Sequence, residues 1–427
     1  MRIAQIGNLY QPVPAIEYGG TQRTIAQIAT FQAACYGHDV TLYAPADSGI
    51  IRFARKIARD LGLVCNIDPN ETRISINNSD GSVGHLTLES AGFDSIGYND
   101  RDEKVKHHNL FAKLLTDDTS NPFEVIHNHH RWFMANAIIP AGLGYKTITH
   151  HHNTTLEETY QLSKYPLICI SQSQAGIMKE KYQANVFRVI YHGIDNGLFK
   201  ATAAHGNYLA WIGRFLDEKG AHRAIRIAQK AKLPLLMAGT IYDKNPESTR
   251  YFENEILPHI TVTDPCFLDS ISSLSTFEVK EKIDLLGQLN RANNPVIFCG
   301  PANDLQKQTL LGGALATIFP ISWPEPFGLV MIESMACGTP VIAYQSIGNL
   351  HCGAVEEVIE QGITGFLITG TDENDAIEKA MEAVGLVASL DRVHVRNVFE
   401  TNWAAEKTAC KINDAYQAFF KESANLS

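Results

Sequence analysis

The sequence predicts a two-domain α/β protein built on parallel sheets. Three observations carry that expectation. The stretch Ala314–Tyr344 alternates strand, loop, apolar helix and strand, with Gly338 and Pro340 placed to stop the helix. The N-terminal stretch repeats the arrangement, with strand Arg2–Ile6, a Gly-rich loop, helix Gln22–Tyr36 and strand Asp39–Tyr43. At 427 residues the chain is long enough for two cores.

Composition narrows the function classes. Apolar content of 45% and charged content of 19% fit a globular chain. A formal charge of −10 argues against a nucleic-acid binder, and no polybasic patch or basic amphipathic helix signals a membrane surface. The eight cysteines are scattered without a C-x-x-C pair, as buried thiols in a reducing compartment would be. MRIAQIGN lacks a signal-peptide apolar core and no run reaches membrane-spanning length, so a cytoplasmic protein is expected.

In chain order, the first strand enters a loop ending Gly19-Gly20, without the dinucleotide G-x-G-x-x-G. The pair reads either as a plain turn or as a close approach to ligand. Helix Ile51–Leu63 follows, and 70–102 is weakly patterned. Asp100-Arg101-Asp102 sits in a charged, turn-like run and reads as solvated surface rather than as a metal-binding Asp-x-Asp. FEVIHNHHRW places a strand ending at His127, with TITHHHNTT nearby. Alternation sends His127 and His129 to one side and His130 to the other. These histidines lack His-Glu-x-x-His and interleaved acids, so no metal site is expected. A core histidine remains an open reading for some of them. Strand Leu167–Ser171 and a helix lead to VFRVIYHGIDNGLF, and KATAAHGN (200–207) reads as a linker.

The second domain opens with strand Tyr208–Ile212. GRFLDEKG brackets Arg214 and Lys219 with glycines at a helix start, either two exposed cations or an anion site. Strand Leu233–Gly239, a helix, and an insert Thr261–Asn294 precede VIFCG and GPANDLQK, where Lys307 reads as phosphate-facing or superficial. Glu325 and Glu333 interrupt the apolar unit that follows. A carboxylate among Leu329, Ile332, Met335 and Ala336 is costly unless paired, so Glu333 either faces solvent or faces a crevice at the strand ends. Helices Asp372–Val387 and Trp403–Phe420 close the chain.

The run EPFGLVMIESMACGTPV, with GRFLDEKG, YGGTQR and H-x-H, resembles family 4 glycosyltransferases. The resemblance covers nearly the whole chain except the insert and parts of 70–102. It implies the GT-B fold, two Rossmann-like α/β/α domains facing a central cleft. The division implied is 1–199, a linker at 200–207, 208–402 with insert 261–294, and 403–427 as a helix crossing back to the first domain. It implies a retaining hexosyltransferase taking a UDP-, GDP- or ADP-sugar, with no cofactor required. Residue by residue, it implies that Glu325 and His129 act at the reacting sugar and that Glu333 holds the ribose hydroxyls. Arg214 and Lys219 would grip the diphosphate. Phe327, Gly328 and Leu329 would line sugar and phosphate, and Ala302 and Lys307 would lie at the base and phosphate end. Gly19, Gly20, His127 and His150 would face the cleft. The partners implied are the donor and a hydroxyl acceptor (small molecule, glycan, lipid-linked glycan or protein), with the chain a monomer or homodimer. The sequence departs from the family at QSIGNLHCGAVEEV, where His351 and Cys352 are extra, so the sugar does not transfer with the motif. A catalytically silent nucleotide-sugar sensor and a GT-B epimerase are the rival readings.

Overall fold

A computed structural model describes residues 1–15, 19–96, 102–130, 133–153, 164–241 and 245–424. Two compact units divide the chain: Met1–Asp195 with Ala404–Ser427, and Asn196–Trp403.

The first unit holds a nine-stranded sheet. Its strands are β1 (Arg2–Ile6), β2 (Asp39–Tyr43), β3 (Val64–Ile67), β4 (Arg73–Asn77), β5 (Val83–Glu89), β6 (Val125–Asn128), β7 (Thr147–His150), β8 (Leu167–Cys169) and β9 (Val186–Val189). The order is β3-β4-β5-β2-β1-β6-β7-β8-β9. All pairings are parallel except β3 with β4 and β4 with β5. The antiparallel pairs involve β3, β4 and β5, whose residues alternate between a more buried and a more exposed side. Helix Gly20–Tyr36 starts two residues before the expected Gln22 and stops at Gly37, whose left-handed φ of 63° ends it. It packs with Val40, Leu42, Ile74 and Leu86 in one apolar core, while Phe111, Phe123, Ile126 and Phe133 share another. Helix Ala405–Ala424 belongs to this unit, and Gln32 Nε2 donates to Ala409 O at 2.9 Å.

The second sheet contains β10 (Leu209–Arg214), β11 (Leu235–Thr240), β12 (Val262–Thr263), β13 (Val296–Phe298), β14 (Ala316–Phe319), β15 (Val341–Ile347), β16 (Leu350–His351) and β17 (Gly365–Gly370). The run β13-β11-β10-β14-β15 with β17 beside β15 is parallel throughout. Renumbered within the unit, this is the doubly wound order 3-2-1-4-5-6, whose switch point lies between β10 and β14. The insert Thr261–Asn294 is structured. It supplies β12 and helices Phe267–Ile271 and Thr276–Leu289, the latter with a Ser275/Glu278 capping box.

Two sequence expectations change. The stretch 200–207 is anchored within the second unit: Lys200 N donates to Gln308 Oε1 at 2.6 Å and Gly206 N to Gly313 O at 2.7 Å. The division between units falls at Asp195/Asn196 instead. A helix not read from the sequence, Arg392–Asn402, follows Asp391, whose side chain caps it. Its first residue is a buried arginine. Arg392 donates to Thr202 O, Ala314 O and Gly312 O and to Thr339 Oγ1, at 2.5–2.9 Å.

Removing that guanidinium strands three carbonyls and a hydroxyl away from water. Arg392→Leu is therefore expected to cost about 3 kcal/mol or more, at 1–3 kcal/mol per stranded group with partial relaxation. Urea unfolding checks it, as a lower midpoint at unchanged slope.

Candidate functional site

The site of the second unit is built from two loops at the β10/β14 switch point. After β10, whose last residue is Arg214, the chain makes a short turn, Asp217–Lys219, and enters helix Ala221–Ala231. After β14 it runs through Trp323 and Glu325 to Gly328 and helix Leu329–Ala336. Ser322 N donates to Glu218 O at 2.8 Å and joins the two loops. Across that join Lys219 Nζ lies 2.6 Å from Glu325 Oε2, and Trp323 Nε1 donates to the same oxygen at 2.9 Å. Lys219 Nζ also sits 4.2 Å from the Trp323 ring centroid, a cation over an aromatic face. Glu325 is only 8% exposed. Lys219 is thus a paired cation rather than an exposed one.

Glu333 lies one helix turn further on and does not face solvent; it is 3% exposed. Its Oε1 pairs with Lys307 Nζ at 2.8 Å, while its Oε2 is buried with no hydrogen-bond partner among the described residues. Lys307 is accordingly neither superficial nor unpaired. Helix Asp304–Gly312 carries it, held at its start by the reciprocal Asn303/Gln306 capping box. Ala302 is buried just before that cap. Phe327 is buried with its ring 5.7 Å from that of Trp403, and Leu329 opens the helix behind Gly328, which has φ 86°.

The departure at residues 345–353 supports this site. β15 turns back into β16, pairing Ile347 with Leu350 and Ser346 with His351. The return strand leads into the Glu325 loop: Glu325 N donates to Cys352 O at 3.3 Å and Ala354 N to Glu325 O at 2.9 Å. Cys352 is buried, its Sγ 3.3 Å from Ile321 O, and burial pushes its thiol up to about 12. Gly353 sits between these bonds with φ 78°, and a Cβ there would lie 2.2 Å from Glu325 O. Sequence reasoning missed Trp323 and Gly353 as site residues. An aromatic donor two residues before Glu325 was a legible signal for the first; nothing local marked the second.

In the first unit Gly19 caps and Gly20 opens the first helix, beside Asn8 Oδ1, which accepts from Gln22 Nε2 at 2.9 Å. Asp100 and Arg101 of the Asp-x-Asp triplet lie outside the described residues; Asp102 is exposed. The histidines at the ends of β6 and β7 are buried. His127 and His129 share one side, ring centroids 4.2 Å apart, while His130 turns toward Tyr10, His107 and Phe133. His127 Nδ1 meets Tyr416 Oη at 2.7 Å. His129 has both nitrogens engaged, Nε2 with Gln5 Oε1 at 2.7 Å and Nδ1 with His152 Nε2 at 3.0 Å. His150 stacks on His127 at 5.3 Å. Burial holds the imidazoles of His127, His129, His150, His152 and His192 well below the ordinary range, with His127 and His192 at about 3.

Residues 199–386 match the family model for glycosyl transferases group 1. The chain is 26% identical over 285 residues to an uncharacterised 41.2 kDa protein in the cps region of Klebsiella pneumoniae, covering 63% of this chain and 72% of that protein. It is 33% identical over 103 residues to the D-inositol 3-phosphate glycosyltransferase of Thermobispora bispora, covering 23% of this chain and 22% of that one. Among solved structures, sucrose-phosphate synthase from Thermosynechococcus elongatus superposes with a TM-score of 0.64 at 18% identity, covering 99% of both chains. HepE of Anabaena, in complex with UDP and glucose, gives 0.57 at 16% identity, covering 98% of this chain and all of that one. The fold is GT-B. Residues 199–386 carry a glycosyltransferase group 1 domain, and the chain is a transferase enzyme. Among its described residues no helix is long and apolar enough to cross a membrane.

Two predictions follow from this geometry. Gly353→Ala should displace the Glu325 loop and lower the enzyme's turnover at least about tenfold, since an ångström of misplacement can cost about a hundredfold. Steady-state kinetics beside a thermal melt check that activity falls more than stability does. For pH, the buried histidines bind fewer protons folded than unfolded between 6.5 and about 3. Unfolding free energy therefore decreases as pH falls through that window and is unaffected by these groups above about 7. Denaturant melts from pH 8 to pH 4 check the sign, and His127→Gln should flatten the slope.

Proposed function

We propose that this glycosyltransferase moves a sugar from a nucleoside diphosphate sugar to an acceptor hydroxyl with retained configuration at the anomeric carbon. The observation that carries the reading is the carboxylate of Glu333. It is buried and held by Lys307 on one oxygen, and the other oxygen has no donor among the described residues. A buried acceptor without a donor is costly, and a vicinal diol such as that of a ribose supplies hydroxyl donors of the right kind.

In this reading Glu333 holds the ribose, while Arg214 and Lys219 hold the diphosphate. Ala302 and Lys307 lie toward the base, and Phe327, Gly328 and Leu329 line the sugar and phosphate, with backbone N–H groups at a helix start facing the anion. Glu325 lies at the sugar, oriented by Lys219 and Trp323. In the first unit, Gly19, Gly20, His127, His129 and His150 are the candidates for contacts with sugar and acceptor. The acceptor oxygen bonds to the anomeric carbon on the face that the diphosphate oxygen leaves. The acceptor proton passes to that departing phosphate oxygen. Two cations and a helix start offset the charge that develops on the leaving group, so no divalent ion is required at the diphosphate. HepE was solved with UDP and glucose, which makes UDP-glucose the first donor to test.

Nucleotide release from UDP-, GDP- and ADP-sugars, without added magnesium or manganese, tests the reading. One donor should be consumed. Glu325→Gln should lower kcat about 10²–10³-fold, the effect of losing one preorganised charge contact at the reacting centre. Glu333→Gln should raise donor KM about tenfold, with a smaller change in kcat. Donor binding without release toward any acceptor would favour a sensor, and a changed sugar epimer without transfer would favour an epimerase.

A further inference from the structure

Five histidines in the first unit make a chain of contacts with one another that goes beyond the sugar and acceptor contacts proposed for His127, His129 and His150. His127 and His129 come from the end of β6, His150 and His152 from the end of β7, and His192 from just past β9. Parallel pairing of β6 with β7, and of β7 through β8 with β9, brings all these ends to one edge. With their protonation suppressed by burial, the rings are neutral at pH 7, so each carries one N–H and one lone pair.

The partners fix which nitrogen carries which. Gln5 Nε2 donates to Tyr416 Oη at 3.1 Å, leaving Gln5 Oε1 to accept from His129 Nε2 at 2.7 Å. His129 Nδ1 is then a lone pair, and the 3.0 Å contact requires His152 to donate from Nε2. The lone pair of His152 is therefore on Nδ1, which faces His192 Nε2 at 3.4 Å. That separation is long for a hydrogen bond and equals the edge, about 3.3–3.4 Å, of a tetrahedron of nitrogens 2.0–2.1 Å from a central zinc. The third corner is His150. It is 1% exposed and neither of its ring nitrogens has a hydrogen-bond partner among the described residues. One nitrogen from each of His150, His152 and His192 lies within 4.8 Å of the others. His127, His129 and His150 meet the same distance limit, but the lone pair of His129 is already taken by His152.

We propose that His150, His152 and His192 bind one transition-metal dication of the zinc class, in a three-histidine site whose fourth position is open to water or another oxygen ligand. Neutral imidazole is the ligand such ions prefer. His152 donates its other nitrogen to His129, and His129 to Gln5, the outer support that metal-binding histidines carry. Bound metal ties the ends of β7 and β9 together and fixes the tautomer of His129. The sequence pointed away from metal because the site uses residues from two distant strand ends and no acid.

The site is tested without donor or acceptor, so its outcome is separate from that of the transfer reaction. Untagged protein is stripped with chelator and titrated with Zn²⁺ by calorimetry, and with Co²⁺ by visible absorption. The expected result is about one equivalent bound, with the intense d–d bands of four-coordinate cobalt. His150→Ala and His192→Ala should each weaken Zn²⁺ binding at least about a hundredfold, and Gln5→Ala about 10–100-fold. His259→Ala, at an exposed position, should bind as the parent does. Parent protein that takes up no stoichiometric zinc, or gives only the weak bands of six-coordinate cobalt, overturns the proposal whether or not the variants fold. So does parent-like binding in folded His150→Ala.

Discussion

The parallel pairing of β10 with β14 is the constraint on which the second unit's site depends. Parallel neighbours cannot be joined by a tight turn, and β14 comes from 107 positions downstream, as the pairing of Leu209 with Ala316 shows, yet both strands end at the same edge. Each end releases a loop that enters a helix, one carrying Lys219 and the other Trp323 and Glu325. Because the strands are pinned in register, the loops meet, and one backbone bond between Ser322 and Glu218 suffices to set their distance. The Lys219–Glu325 contact is a consequence of sheet order before it is a matter of side-chain chemistry.

Burial then decides what the charges must do. Glu325 and Glu333 are each too enclosed to rely on water, and each has a lysine from a different element against it, Lys219 and Lys307. Removing one member of such a pair leaves an uncompensated charge, at a cost of about 3–5 kcal/mol. The site is thereby nearly neutral in itself. An arriving anion meets cations that already have partners, so its binding is an exchange of contacts, and shape and hydrogen bonding govern selectivity more than net attraction. The hairpin of β15 and β16 belongs to the same economy of position: it brings Cys352 and Gly353 to the backbone of Glu325, fixing the loop where its acid would otherwise be free to turn outward.

Elements with a strong local signal were legible in the sequence. The helix at Leu329–Ala336 and its flanking strands follow from an apolar run ended by Gly338 and Pro340, and the first helix from its stop at Gly37. The spacing of Glu325 and Glu333 marked them as candidates. What the sequence left open depends on residues far apart along the chain. Whether Glu333 faced solvent turned on Lys307, 26 positions away, and the state of His127 and His129 on Gln5 and Tyr416, which are in contact but near opposite ends of the sequence. Helix Arg392–Asn402 went unread because its first residue is an arginine, ordinarily a surface signal, here buried against four oxygens. Periodicity reports which face is apolar; it does not report a polar group satisfied inside.

The two units also show how little topology says about chemistry. Both collect their polar side chains where parallel strands end, beside the first strand of each sheet. In the second unit those side chains are carboxylates and ammonium groups, which remain tolerable when buried because each neutralises another. In the first they are imidazoles, which meet the same burial by giving up their protons. The outcomes differ in kind. Paired ions present fixed charge to an anionic ligand. Neutral imidazoles present lone pairs and N–H groups, which suit hydroxyls and soft cations and offer little to a phosphate. Strand order therefore selects the edge of the sheet, and the cost of burying each side chain selects the ligand that edge can accept.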